Sequence, residues 1–158
     1  MSTAFEKLTN QRVEQLMARD VITIHEDASM VEAAQLLHNY VITGVPVVDD
    51  FRRCVGVLSS TDFVESKCEE GCNCVSHVAT TVDRSGLNRA ESLSDESVRA
   101  HMSPKLQTIR EHRSIVDAGQ MMCQEHIHRL VVIDRQGRPV GIISSLDLVS
   151  ALVNAPKD

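Results

Sequence analysis

The sequence predicts an α/β (α+β) fold made of two strand-helix-strand-strand-helix (βαββα) repeats packed with pseudo-twofold symmetry. Three observations carry that expectation. When the chain is slid against itself by 85 residues, positions 13–64 lie over 98–149 without a gap, and 19 of the 52 aligned positions are identical. The heptad "GVLSSTD" at residues 56–62 returns as "GIISSLD" at 141–147, each time after an apolar run. The helix-start pairs Ser29/Glu32 and Ser114/Asp117 recur at the same offset. Two copies are too few for a solenoid. They imply two like units packed face to face.

Each element follows in order. "VITI" and "LQTI" are short strand candidates. Ser29 and Ser114 then act as helix N-caps, with Glu32 and Asp117 three residues on as capping-box partners. The helices are "MVEAAQLLHNY" and "IVDAGQMMCQEH"; in the first, Met30, Ala33, Ala34 and Leu37 recur at helical spacing. A continuous apolar strand comes next, "VPVVD" or "LVVID". The polar turns "DFRR" and "RQGR" lead into "CVGVLSS" and "PVGIISS", so each strand pair reads as a hairpin. "TDFVESK" and "LDLVSALV" open second helices. Short amphipathic segments precede both copies. The domain expectation is a first repeat with its N-terminal helix over 1–67, a cysteine-containing linker over 68–94 and a second repeat over 95–158.

Composition bounds the function. With 158 residues, the chain suits one domain or two very small ones. No apolar run approaches the roughly 20 residues that span a bilayer, and the N-terminal stretch has no continuous apolar core. No secretory signal, no membrane association and a cytoplasmic location are therefore expected. Sixteen Lys and Arg stand against 22 Asp and Glu, a net charge of −6. That balance argues against nucleic acid as a partner, because phosphate backbones need a basic footprint. One Tyr, three Phe and no Trp argue against base stacking along single strands. Five cysteines without a signal segment read as reduced thiols.

The repeated heptad places Gly, Ser and Asp where a strand ends and a helix begins. Gly permits close backbone approach. Hydroxyls there either cap the helix or donate to a phosphate, and the helix N-terminus favours anions. A carboxylate one turn on can accept two hydrogen bonds from a ribose diol. Capping and nucleotide binding both remain open on these residues alone.

The whole repeat resembles a tandem pair of CBS domains (cystathionine β-synthase domains), also called a Bateman module. The residues that carry this are "MARDVITIHEDASMVEAAQLL", "ITGVPVVDD" and "VGVLSSTDFV" in the first copy, with "MSPKLQTIREHRSIVDAGQMM" and "IHRLVVIDRQGRPVGIISSLDLVSAL" in the second. The resemblance implies two clefts related by the pseudo-twofold that bind adenosine derivatives such as AMP, ATP or S-adenosylmethionine, and self-association into a disc-like homodimer. It implies that Asp62 and Asp147 hold ribose hydroxyls, and that Ser59 and Ser144 contact ribose or phosphate. Thr61 adds a hydroxyl that copy two, with Leu146, lacks. Val21 and Ile22, or Leu106 and Gln107, line the base pocket. Ile42 and Thr43, or Ile127 and His128, face the cleft. In several members of the resembled family a His-Arg pair there binds phosphate; here it is His128-Arg129, against an uncharged Thr43-Gly44. The two clefts are thus expected to differ, the one around Asp147 suiting a phosphate group. The bland reading of His128 and Arg129 is a solvated strand edge.

Residues 65–94 do not repeat. Cys68, Cys72, Cys74 and His77 lie within ten residues, and thiolates with an imidazole can hold Zn²⁺ or an Fe–S cluster. C-x3-C-x-C-x2-H is not a usual zinc spacing, and Glu69-Glu70 oppose thiolate formation. No bound cofactor, a metal site and a thiol switch are the three readings. Cys54 and Cys123 are expected to be small core residues, and His126 and His128 to share one face of an extended segment. No G-x-S-x-G, Walker A or G-x-G-x-x-G motif occurs, so no enzyme activity and no required cofactor are expected. The functional expectation is a regulatory module that senses an adenine nucleotide or adenosyl compound and signals to a protein partner. Its alternatives are a metal or redox sensor built on the linker cysteines, or a scaffold with empty clefts.

Overall fold

The computed structural model describes residues 10–65 and 96–154. Its elements run α1 (Val13–Leu16), β1 (Ile24–His25), α2 (Met30–Asn39), β2 (Gly44–Val48), β3 (Cys54–Ser59) and α3 (Asp62–Glu65), then α4 (Val98–His101), β4 (Thr108–Arg110), α5 (Ile115–Glu125), β5 (Arg129–Ile133), β6 (Pro139–Ser144) and α6 (Ser145–Val153). Two three-stranded sheets result, with orders β1-β2-β3 and β4-β5-β6. This is the mixed α and β architecture that the repeat predicts.

The long helices form where the sequence caps them. Ser29 Oγ accepts from the Glu32 N–H at 3.2 Å, and the Glu32 carboxylate accepts from the Ser29 N–H at 2.8 Å. The Ser29 N–H, contributing most, and the Ser29 hydroxyl, which donates to the same oxygen at 3.1 Å, hold the Glu32 carboxyl below its usual range. Ser114 and Asp117 repeat the arrangement at 3.0 and 3.2 Å. Met30, Ala33 and Leu37 of α2, and Ile115, Ala118 and Met122 of α5, are the buried stripes, spaced as one helix face requires. Each helix is the crossover that parallel pairing demands: β1 runs parallel to β2 and β4 to β5. β5 then pairs antiparallel with β6, Arg129 opposite Ser144 and Leu130 opposite Ile143. β2 and β5 are buried nearly throughout, while β3 and β6 alternate, turning Gly56 and Leu58, or Gly141 and Ile143, inward.

By their contacts the described residues form two compact units. The first takes in residues 10–22, Arg52–Cys54 and 107–154; the second takes in Thr23–Phe51, 55–65 and 96–106. Chain order groups α1 with the first repeat. Packing groups it with the second: Val13, Met17, Ile109, Ala118, Met122, Leu130, Val132 and Ile143 form one apolar cluster. The start of α1 donates to the loop before α5, Val13 N–H to the Arg113 carbonyl and Glu14 N–H to that of Glu111, both at 2.9 Å. In the second unit α4 does the same, Val98 N–H to the Ala28 carbonyl and Arg99 N–H to that of Glu26, both at 2.8 Å. These bonds satisfy helix-terminal donors that have no partner within the helix. The Arg99 guanidinium also bridges Glu26 and Asp27 at 3.0 and 2.9 Å.

The strand expectations shift by a few residues. "VITI" contributes only Ile24 to β1, because pairing with β2 begins at Ile24–Val47. Val21 and Ile22 are connection, not strand. Among the described residues no helix is long and apolar enough to cross a membrane.

Candidate functional site

In the first unit the heptad ends β6 and opens α6. Ser144 is the N-cap: its Oγ accepts from the Asp147 N–H at 3.3 Å. In return the Ser144 N–H and Oγ–H donate to Asp147 Oδ2 at 2.7 and 2.6 Å. In the second unit the Ser59 N–H and Oγ–H donate to Asp62 Oδ2 at 2.5 and 2.8 Å. Thr61 adds a 2.6 Å hydroxyl contact to Ser59 Oγ. Ser144 therefore caps α6, while Ser59 holds the Asp62 carboxylate through its N–H and hydroxyl. Capping does not exhaust the carboxylates. One oxygen of each is fixed by two donors, and a carboxylate has further lone pairs on the other.

The approach to the central strand lies against the same junction. Ser145 N–H donates to the His128 carbonyl at 3.0 Å, and Ser60 N–H to the Thr43 carbonyl at 2.9 Å. Arg129 opens β5 directly across from Ser144. Gly44 opens β2, where a Cβ would lie 3.9 Å from Ser59 Cβ. Ile127 and Ile42 close the ends of α5 and α2, their N–H groups donating to Met122 and Leu37 carbonyls at 3.0 Å. The first unit thus brings together Ile127, His128, Arg129, Ser144 and Asp147. The second brings together Ile42, Thr43, Ser59, Thr61 and Asp62. Gln107 joins the first group at the start of β4, whose Thr108 pairs with Val131. Val21 and Ile22, half-buried, belong to the first unit, and Leu106 to the second.

Sequence reasoning missed Glu125. It ends α5, and its Oε2 accepts from Gln107 Nε2 at 3.1 Å. No local pattern signals it, because 18 positions of chain separate the two residues.

Three expectations need correction or placing. His126 and His128 do not share an extended face: His126 ends α5 in the left-handed conformation, at φ 54°. Cys123 is exposed, because it falls one residue past Met122, off the buried stripe of α5; Cys54 is half-buried in β3. Cys68, Cys72, Cys74 and His77 lie outside the described residues. Among those described, no group of three His, Cys, Asp or Glu side chains is arranged to hold a metal ion.

Comparison with known proteins agrees with this geometry. The CBS-domain family model matches residues 13–68 and 97–154. The chain is 26% identical to the uncharacterised protein MJ1426 of Methanocaldococcus jannaschii over 97% of its own length and all of that protein's. It spans only 24% of a longer relative, the inosine-5'-monophosphate dehydrogenase of Chlorobaculum parvum, at 29% identity over 87% of this chain. The fold is similar to the CBS domain of a CBS-domain-containing membrane protein from Sphaerobacter thermophilus, at TM-score 0.76 and 22% identity, covering 94% of this chain and 91% of that one. It is also similar to CBSX2 in complex with AMP, at TM-score 0.67 and 23% identity, covering 90% and 96%. A third likeness is the CBS pair of MJ0100 in complex with 5'-methylthioadenosine and S-adenosyl-L-methionine, at TM-score 0.63 and 23% identity, covering 93% and 98%. With the family model matched over both repeats, the chain belongs to the CBS-domain family.

Proposed function

We propose that the chain is a regulatory module that binds an adenine nucleotide or adenosyl compound at its two Ser-Asp junctions. The observation that carries this reading is the paired carboxylate. Asp62 and Asp147 are each fixed through one oxygen by a serine N–H and hydroxyl. A carboxylate pre-oriented in this way meets a ribose diol without losing further side-chain freedom. The AMP held by CBSX2 and the adenosyl compounds held by MJ0100 support the ligand class.

Ser59, Ser144 and Thr61 then brace the two aspartates or touch the ribose. Val21, Ile22, Ile42, Ile127 and Gln107 flank the base, and His128 with Arg129 meets a phosphate. Regulation follows by population shift: AMP or S-adenosylmethionine moves the equilibrium only as far as it favours one conformation over another. A protein partner reads that conformation. The proposal includes a homodimer, supported by the exposed apolar side chains Leu146, Val149, Leu152 and Val153 of α6, a cytoplasmic location and no catalysis.

Calorimetric titration of AMP and S-adenosylmethionine tests the reading. Asp147→Ala is expected to weaken the bound compound about tenfold or more, the loss of hydrogen bonds to a charged acceptor. Unchanged affinity in Asp147→Ala and Asp62→Ala alike would sink it.

A further inference from the structure

We propose that the hairpin end of the first unit, lined by Arg52, Arg53, Arg110, Arg135 and Arg138, docks a short acidic segment of a protein partner. This surface is separate from the Ser-Asp junction. β5 and β6 run from the Arg129–Ser144 pair at that junction to the turn after Ile133, so the two places lie at opposite ends of the same strands. The failure of either reading leaves the other standing.

Hydrogen bonds bring the five arginines to one turn. Arg110 ends β4, and its Nη1 donates to the Asp134 carbonyl at 3.0 Å. Asp134 opens the β5–β6 turn and Arg138 closes it, the Asp134 N–H donating to the Arg138 carbonyl at 2.9 Å. The Cys54 N–H donates to the Gly137 carbonyl at 2.9 Å, which brings Arg52 and Arg53 to the same turn within the first unit. All five side chains are exposed.

The nearby carboxylates are engaged elsewhere. One oxygen of Asp134 accepts from the Gln136 and Arg138 N–H groups at 2.8 and 2.9 Å. Asp117 is held by Arg113 at 3.1 Å. Glu111, half-buried, follows Arg110. Among the described residues no carboxylate lies within ion-pair distance of Arg52, Arg110, Arg135 or Arg138.

The distribution of charge agrees. The described part of the first unit holds nine arginines, no lysine and seven acidic residues. That of the second holds eight acidic residues against Arg99 and Lys105. Positive charge is therefore concentrated on one unit of a chain whose net charge is −6. Protein interfaces enrich arginine and deplete lysine, because the guanidinium fork grips a carboxylate through two N–H groups at once. Arg52 is left-handed at φ 62°, where the second repeat has Gly137 at φ 83°. The turn thus accepts backbone strain at a place where it carries an exposed guanidinium. A short acidic segment suits this surface better than an extended polyanion. At physiological salt charges are screened beyond about 8 Å, so a segment of a few residues feels the arginines alone. A duplex or a membrane faces the negative charge of the whole chain.

Decaglutamate is the probe, titrated into the full chain and followed by amide NMR shifts. It is expected to shift residues 52–54, 110–113 and 134–138, and to be released by added salt. Arg138→Glu, an exposed change, should weaken it about tenfold or more. Arg52→Gly should melt no lower and still bind decaglutamate more weakly, a combination that a merely structural arginine would not give. Lys105→Glu makes the same change of charge in the second unit and should leave the affinity as it was. Equal weakening by Lys105→Glu and Arg138→Glu would reduce the effect to net charge and overturn the inference. So would shifts centred away from the hairpin end, no binding at low salt, or retention of a DNA duplex or of phosphatidylserine vesicles at a salt concentration that releases decaglutamate.

Discussion

Gly44 and Arg129 occupy the same place in the two repeats, and they differ as much as two residues can. Both open a central strand, and both stand beside a serine that holds an aspartate. The surrounding framework is shared down to hydrogen bonds that recur at an offset of 85. Around Arg129, however, the second repeat gathers His128, Gln107 and Glu125, whereas the first has Thr43, Ile22 and Tyr40 at those positions. The two repeats share the carboxylate and the serine that holds it, and differ in the polar groups around them. On the proposed reading, the shared part would hold the nucleoside and the varied part would choose which one.

The strongest way to break the comparison is in the core. Leu58 and Ile143 are equivalent and both fully buried. Leu58→Ala and Ile143→Ala should each cost about 2–5 kcal/mol in urea unfolding. If one is neutral while the other is severe, the two repeats are not packed alike and the equivalence fails. A smaller effect sharpens the charge difference. Arg129→Gly should lower AMP affinity about tenfold, and Gly44→Arg should raise it at the other junction, because a cation gains a charge-assisted bond to phosphate. Space permits the latter: a Cβ on Gly44 meets nothing closer than the Leu58 carbonyl oxygen at 3.5 Å. Both effects should shrink with added salt, and titrations insensitive to salt would remove Arg129 from the phosphate.

The smallest effect concerns how the long helices end. Val41 and His126 are equivalent and both left-handed, each at φ 54°. Histidine tolerates that region better than a β-branched residue. Val41, 90% exposed, has no burial to offset the strain. Val41→Gly should raise stability by about 0.5–1 kcal/mol, the left-handed penalty less the entropy that glycine costs. His126→Gly should gain less. A destabilised Val41→Gly in thermal melts would mean that the valine makes a contact worth more than its strain.

Much of this was legible in the residues. The capping boxes at Ser29 and Ser114, the buried stripes of α2 and α5, the hairpin turns and the Ser-Asp junctions all follow from local spacing. Local rules decide them because the partners lie within a few residues. Glu125 was not legible, since it meets Gln107 across 18 positions of chain and only the path of α5 brings them together. The exposure of Cys123 was legible in the same spacing, which puts it one residue past the buried stripe of α5, but the general preference of cysteine for the core was followed instead.

By itself the sequence determined the repeat, its element order and the residues that must be buried. Val13 and Val98 lie in the short amphipathic segments that precede the two copies, and both are fully buried. Only the tertiary structure decided against what. Val13 joins the core of the second repeat, with Leu130 and Ile143. Val98 is held at the loop before α2 of the first, its N–H on the Ala28 carbonyl. The physical reason lies in the duplication itself. A hydrophobic pattern states how much surface must leave water, but two repeats with the same pattern offer the same refuge. The choice between them is made by chain geometry and close packing, and no local pattern records it.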